Sequence, residues 1–531
     1  MNNLLRHKEK ILLVFILLFA AFLRLYRIAD YMTFLGDEGR DVLVVYDILH
    51  GKLTLLGPTA SVGGFFLGPI YYYFMAPFLW LFNYNPVGPA VMVGLFGTAT
   101  VWLVYKVGNE FFNKTTGLIA SFLYAISPLI IAYSRSSWNP NLMPFFSLLS
   151  LYILYRAIHK GSSMLLLFCG FLLGIAMQLH YLTIFLGIIV ALYILLIDIF
   201  SEYYKRNKLQ AKKLVPQIIK KYIVLFFGFL IGLSQFLAFE LRHGFPNIHS
   251  IVTFIFYSGQ TGSNGEFFGI LGNVFIRLFG RLLTKFPPPE QVSLQAHTDI
   301  TIWYYVTLTL ALVSTAIFLL QWFESLKQRS QNFLKYNLLF LWFFVGIFLF
   351  GFYKKPIYDY YFGFMFALPF LLTGNACSFL WKQNNMLKAV AAICFVWLTW
   401  INLTGIPFRF PPNRQLAQVK EISQFVLDKT EAKPFNFALI TGGNSDHGYR
   451  YFLMLVKRPP VQIETLTKDP KRTTVTQQLL VVCESSTCQP LGNPIWEIAG
   501  FGRAEIVEEW NISVVKVYKL VHYKEPLRNQ K

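Results

Sequence analysis

Charge is scarce in this chain. Of 531 residues, only 14% are Asp, Glu, Lys or Arg, against about 25% in soluble domains. With 55% hydrophobic residues and a mean hydropathy of +0.48, this excludes an ordinary soluble globule. Acid is the scarcer sign: 27 Asp and Glu face 47 Lys and Arg, a formal net charge of +20. No nucleic-acid partner is read from that excess, because Lys and Arg collect on the cytoplasmic loops of membrane proteins. Cysteine is sparse too, at five. Cys169, Cys377 and Cys394 lie in apolar runs and read as buried thiols. Cys483 and Cys488, in "CESSTC", form a local disulfide if their domain faces an oxidising compartment, or stand as two surface thiols. Several motifs are missing: a Walker loop, a GxGxxG after a strand, a GxSxG, an HExxH and paired CxxC. No nucleotide, nucleophile-elbow or zinc chemistry is therefore read. There is no internal repeat and no low-complexity tract.

What is present is apolar sequence in runs near ~20 residues, each long enough to cross a hydrocarbon core of ~30 Å. The fold class read from them is a polytopic α-helical membrane protein. About eleven spans follow from apolar length and Lys/Arg orientation: 11–29, 87–105, 115–133, 142–157, 164–179, 182–199, 222–240, 300–321, 336–352, 358–375 and 389–406. The first run is longer than a signal-peptide core and shows no small-residue cleavage site, so it reads as a retained span. The N-terminal "RHKEK" and the segment 201–221, with seven Lys and Arg, mark the cytoplasmic side. The aromatic "GPIYYYFMAPFLWLF", 68–82, reads as a juxtamembrane or re-entrant helix, because counting it as a crossing would put 201–221 outside. A long external loop is expected over 241–299. After residue 410 the composition changes. A proline-led amphipathic helix and the strand-like "FNFALIT", "QLLVVCE" and "ISVVKVYKL" predict a small extracytoplasmic α/β domain over 411–531, beside a membrane domain of 1–410.

Some charges are left unexplained by topology. "FLGDEGRD" places Asp37, Glu38, Arg40 and Asp41 where the first span exits on the external side. They read either as a solvated loop anchoring the helix end or as the lining of a cavity at the membrane boundary. Arg135, Trp138, Asn139 and Asn141 occupy a second external turn. Lys354, Lys355, Tyr358, Asp359, Tyr360 and Tyr361 occupy a later one. External cations run against the positive-inside trend, and a phosphate at the outer leaflet would account for them. The alternatives are a helix C-terminal cap for Arg135 and interfacial snorkelling for Lys354 and Lys355. His180, in "MQLHYLTIF", is either a satisfied structural residue or a member of the same external site.

With these residues in place, the first four hundred or so residues resemble the polytopic GT-C glycosyltransferases that use lipid-phosphate sugars. Protein O-mannosyltransferases and the lipid A aminoarabinose transferase belong to that group. The likeness rests on a first span ending in "LGDEGRD", the external loop, "GPIYYYFMAPF", an inner turn and the external turn after span three. It implies that Asp37 is the essential aspartate of the family, Glu38 its neighbouring acid and Arg40 a basic residue found at that offset. Arg135, Asn139, His180, Lys354, Lys355 and Tyr358 are the candidates for phosphate or substrate contacts by their place at external turns, and "KKPIYDYY" loosely resembles the family's late Lys/Tyr segment. The chain departs from the pattern twice. Asn139 and Asn141 stand where a second aspartate is common, and Phe66–Leu67 replaces a Glu-Lys pair. The metal site of that pair is therefore not carried over; no cofactor is demanded, though Glu38 could hold a divalent cation.

The partners implied are a polyprenyl-phosphate sugar donor, a hydroxyl-bearing acceptor and membrane lipid. The phosphate leaves without needing a general acid, and cations stabilise the charge it retains. The acceptor hydroxyl needs a base, for which Asp37 is the candidate, with Glu38 in support. Direct displacement would invert the anomeric centre. Three rivals remain, one of them a non-catalytic receptor that uses the domain 411–531. A transporter or lipid flippase would carry mid-bilayer charge and a repeat. A surface-polysaccharide ligase or polymerase would differ mainly in its acceptor.

Overall fold

In the computed structural model of the protein, the structure describes residues 2–206, 211–259, 261–262, 265–288, 291–292, 297–328, 332–485 and 487–524. The chain divides into two compact units. A helical unit comprises Met1–Tyr26, Leu53–Phe78 and Gly88–Pro411. A mixed unit comprises Pro412–Lys531 together with Arg27–Lys52 and Leu79–Val87. The mixed unit has its longest segment from Pro412 onward. It also takes in "FLGDEGRD", which a linear division assigned to the membrane domain.

Seven helices among the described residues of the helical unit are long and apolar enough to cross a membrane. An eighth is added if the bent pair Asp359–Met365 and Ala367–Leu380 counts as one span. The expectation of about eleven differs for local reasons. The run 115–133 breaks at Pro128 into helices Lys114–Ile126 and Pro128–Tyr133, because proline lacks the N–H that would continue the ladder. Helix Ser163–Leu179 is one turn short of the usual span. The first helix ends at Leu25 rather than at residue 29. Helix Ile70–Leu81 has 12 residues, about 18 Å of rise, and is too short to cross, in keeping with a juxtamembrane element. The supposed loop 241–299 contains two helices, Pro246–Phe256 and Phe267–Leu283. Within the basic segment 201–221, residues 207–210 lie outside the described residues.

Helices Ser163–Leu179 and Ala211–Gly232 pack through glycines spaced by four: Gly170 and Gly174 against Gly228 and Gly232. A methyl on any of them would overlap backbone of the opposite helix. Small residues at this spacing let apolar helices approach closely where no hydrophobic drive separates lipid from protein. The windows of Leu214–Gly232 and Asn385–Leu403 are only 17% buried although strongly apolar, as helices facing lipid would be.

The ends of the spans meet as the Lys/Arg map requires. Glu110 bonds Arg156 at 2.9 Å, and Lys335 Nζ donates to the Glu110 carbonyl at 2.9 Å. All three lie at ends assigned to one face. Trp138, His180 and Tyr360, assigned to the other face, also meet: their rings lie 4.5 Å and 5.8 Å from Tyr360.

In the mixed unit, helix Gln415–Lys429 precedes a four-stranded sheet: β1 (Asn436–Ile440), β2 (Gln478–Cys483), β3 (Ala504–Ile512) and β4 (Val515–His522). The order is β1-β2-β4-β3; β1 runs parallel to β2, and the other pairs are antiparallel. Strand β2 is central and buried along its length. Strand β3 was missing from the sequence reading. It is an edge strand carrying Glu505, Glu508 and Glu509, and charge on an edge is how sheets avoid further pairing. Cys483 and Cys488 are joined as a disulfide, while Cys169, Cys377 and Cys394 are free.

Candidate functional site

In the mixed unit, the acidic motif opens helix Gly36–Leu49. A helix start leaves its first N–H groups without intrahelical partners. Here three consecutive donors find side-chain oxygens: Phe34 N–H on Gln415 (3.1 Å), Leu35 N–H on Glu38 (3.0 Å) and Gly36 N–H on Asn444 (2.7 Å). Gly36 and Gly39 are glycines for a steric reason. A methyl at Gly36 would strike Ser445, and one at Gly39 would strike the Gly448 backbone.

The four charged residues of the motif take different places. Asp37 is exposed, with its side chain 55% accessible, and pairs with Arg40 at 2.9 Å. Asp41 is fully buried and holds the other side of Arg40 at 2.9 and 2.7 Å. Arg40 is thus clamped between two carboxylates, which fixes the geometry of Asp37. Glu38 is buried, its carboxylate turned back onto Leu35 N–H. Burial pushes its pKa up from 4.5 to about 7, with the charges of Asp41 and Asp37 adding to the rise and backbone hydrogen bonds opposing it. A carboxyl poised near neutrality in this way marks candidate functional sites. Access separates the two acids: Asp37 can meet a water-borne group, whereas Glu38 is committed to the helix start.

Because the folded value for Glu38 lies above its ordinary one, folding favours the protonated form. Its contribution to stability is complete below about pH 4.5 and is lost as pH rises through about 7. The full span is on the order of 3 kcal/mol. Thermal unfolding of the wild type should therefore shift to lower temperature between pH 5 and 8. Glu38→Gln, which keeps an acceptor for Leu35 N–H, should flatten that dependence. An unchanged slope in the variant would assign the dependence elsewhere.

In the helical unit, the remaining sequence candidates gather at three turns. Arg135 is buried, at 1% exposure. Its guanidinium donates to the carbonyls of Leu23, Arg24 and Tyr26 at 2.8–3.1 Å and lies over Phe408. It caps the end of the first helix, so the phosphate role expected of it is corrected to a structural one. Asn139 is corrected likewise: it is buried, and its amide donates to the Leu179 carbonyl at 2.7 Å. His180 is buried, accepts from Leu182 N–H at 3.2 Å and stacks on Tyr181. Burial drives its pKa down, leaving a neutral ring unsuited to an anion.

Lys354 and Lys355 are exposed, and Tyr358 is exposed and stacked on Tyr360. Beside them, Tyr181, Tyr353 and Tyr361 link hydroxyls, Tyr181 to Tyr353 at 2.9 Å and Tyr361 to Ser61 at 3.2 Å. Tyr181 and Tyr353 also line an apolar cavity of about 300 Å³ walled by Phe65, Phe185, Phe254 and Phe352. Two arginines were missed by the sequence reading. Arg277 and Arg281 clasp the buried Asp359 at 2.7 and 2.6 Å, and Arg277 also donates to the Ile357 carbonyl. The signal was available: two arginines four apart on the amphipathic helix Phe267–Leu283. Among the described residues, no group of three or more His, Cys, Asp and Glu is disposed to hold a metal.

Residues 67–216 match the family model for dolichyl-phosphate-mannose-protein mannosyltransferase. A Bacillus subtilis (strain 168) relative named "Putative mannosyltransferase YkcB" is 37% identical over 81 residues, which cover 15% of this chain and only 11% of that protein. Among solved structures, ArnT from Cupriavidus metallidurans bound to undecaprenyl phosphate aligns with a TM-score of 0.59 at 12% identity. That alignment covers 96% of this chain and 97% of that one. The archaeal oligosaccharyltransferase AglB from Archaeoglobus fulgidus, in complex with an inhibitory peptide and a dolichol-phosphate, aligns with a TM-score of 0.52 at 14% identity. Coverage is 98% of this chain and 75% of that one. At these identities the structural likeness speaks to the fold. The family match over residues 67–216, the short mannosyltransferase alignment and this fold together bear out the resemblance to the GT-C membrane glycosyltransferases read from the sequence.

Proposed function

We propose that this chain is an integral membrane glycosyltransferase. It moves a sugar from a polyprenyl-phosphate donor to a hydroxyl on the outer face of the membrane, with inversion. The observation that carries the reading is the exposed Asp37 carboxylate, held by an Arg40 that is itself pinned by buried Asp41. The apolar cavity walled by phenylalanines and by the rings of Tyr181 and Tyr353 supports it, since a prenyl chain would fill such a space.

In the proposed reaction the acceptor oxygen attacks the anomeric carbon, and Asp37 takes its proton. The bond from that carbon to the phosphate oxygen breaks, and the phosphate leaves with the electron pair. Arg40 orients the base and offers a cation to the charge left on the phosphate. Glu38 fixes the turn on which Asp37 stands. The N-terminus is cytoplasmic and the 411–531 domain extracytoplasmic, supported by the Lys/Arg map.

Reconstituted protein incubated with undecaprenyl- and dolichyl-phosphate sugars is expected to release the polyprenyl phosphate, read by mass spectrometry. Passage of intact donor across the bilayer, with no release, would point to a flippase instead.

A further inference from the structure

Within the mixed unit, one polar chain runs from the start of the acidic helix to the end of the central strand. Asn444 lies 408 positions from Gly36, yet its Oδ1 accepts from Gly36 N–H at 2.7 Å. The other end of the same amide donates to both carboxylate oxygens of Glu484, at 3.0 and 3.1 Å. Glu484 accepts in turn from Tyr449 Oη at 2.7 Å and Thr441 Oγ1 at 2.8 Å. It follows Cys483 at the end of the buried central strand, inside the loop closed by the Cys483–Cys488 disulfide, with its own N–H on the Ile440 carbonyl. Asn444 can therefore neither rotate nor flip without breaking bonds at both ends. Ser445 and Gly448, on the same loop and the helix after it, fill the space left by the missing side chains of Gly36 and Gly39.

We infer that Asn444, locked by Glu484, is a positioning residue of the transfer reaction: it sets the first turn of helix Gly36–Leu49 and so the place of Asp37. This deepens the transferase reading and rests on Asp37 being the base. A carboxylate misplaced by about 1 Å can cost on the order of 10²-fold in rate. The amide is needed because one neighbour donates and the other accepts. Aspartate at 444 would still accept from Gly36 N–H but would face the Glu484 carboxylate. Glutamine at 484 would restore a donor opposite it.

The test uses the full chain in proteoliposomes with undecaprenyl-phosphate mannose as first donor. It compares Asn444→Ala, Asn444→Asp, Glu484→Gln and the double variant Asn444→Asp/Glu484→Gln. Asn444→Ala and Asn444→Asp should lose about tenfold or more in kcat at unchanged donor KM. The double variant should recover most of that loss. Hydrogen exchange in the peptide spanning residues 34–41 should quicken in Asn444→Asp and slow again in the double variant. That readout needs no turnover. Where Asn444→Ala does not accumulate, Asn444→Ser, too short to reach Gly36 N–H, takes its place. Unchanged exchange, or kcat per folded molecule within twofold of wild type while Asp37→Asn is inactive, overturns this inference alone. Full activity in Asp37→Asn overturns the reading beneath it.

Discussion

Asp37→Asn is expected to lower sugar transfer by about 10²–10⁴-fold, the range supplied by a positioned general base. The substitution keeps the shape of the side chain and leaves an amide oxygen for Arg40, which is 2.9 Å from the carboxylate. What it removes is the capacity to take a proton. The acceptor hydroxyl gives up its proton only as the new bond forms, so the interaction belongs to the transition state. kcat and kcat/KM should accordingly fall together, with donor KM unchanged. Folding should be nearly unaffected, because Asp37 is half exposed and an exposed pair contributes about 0–1 kcal/mol. The contrast with Glu38 is part of the expectation. Glu38→Gln should act on the pH dependence of stability, through a carboxyl that burial has pushed up to about 7. A preparation of Asp37→Asn with a wild-type melting profile and near-wild-type transfer would remove the proposed base.

Asp37 was legible in the sequence because charge breaks so abruptly into an apolar run between Ala29 and Val42. The alternation of the helix ends was legible for a related reason. Lys and Arg mark one face, and Glu110, Arg156 and Lys335, assigned to that face, do meet. What stayed hidden depends on long-range pairing. Nothing near Asn444 or Glu484 says that they serve a glycine four hundred positions away: Asn444 sits among Gly, Ser and Thr, and Glu484 closes the strand-like "QLLVVCE". Arg135 and Asn139 misled for the same reason. Their polar heads are consumed by carbonyls at Leu23, Arg24, Tyr26 and Leu179, and composition cannot distinguish a cation that caps a helix from one that awaits a ligand. Strand β3 was missed because "AEIVEEW" carries three acids on an edge where no buried face enforces alternation.

Asp359→Ala should be the most destabilising single change in the helical unit outside its apolar core, by about 3–5 kcal/mol. The carboxylate is about nine-tenths buried and receives two guanidiniums, Arg277 on one oxygen and Arg281 on the other. Removing it leaves two cations facing each other. Arg277, at 5% exposure, has no route to solvent. Its bond to the Ile357 carbonyl at 2.7 Å would hold that charge against the turn bearing Tyr358 and Tyr360. Asp359→Asn should fall between wild type and Asp359→Ala, since an amide oxygen can still accept one guanidinium. Asp47→Ala offers the internal comparison. Its partner Lys52 is 74% exposed and Asp47 itself 46%, so the loss should stay within about 0.5 kcal/mol. Thermal unfolding in detergent, with and without added salt, separates the two cases. Salt should weaken the Asp47 pair and leave the Asp359 cluster nearly untouched, because buried charge is poorly screened. Equal effects of the two alanine variants would mean that water reaches Asp359, and that Lys354, Lys355 and Tyr358 stand on a turn held by something other than this clasp.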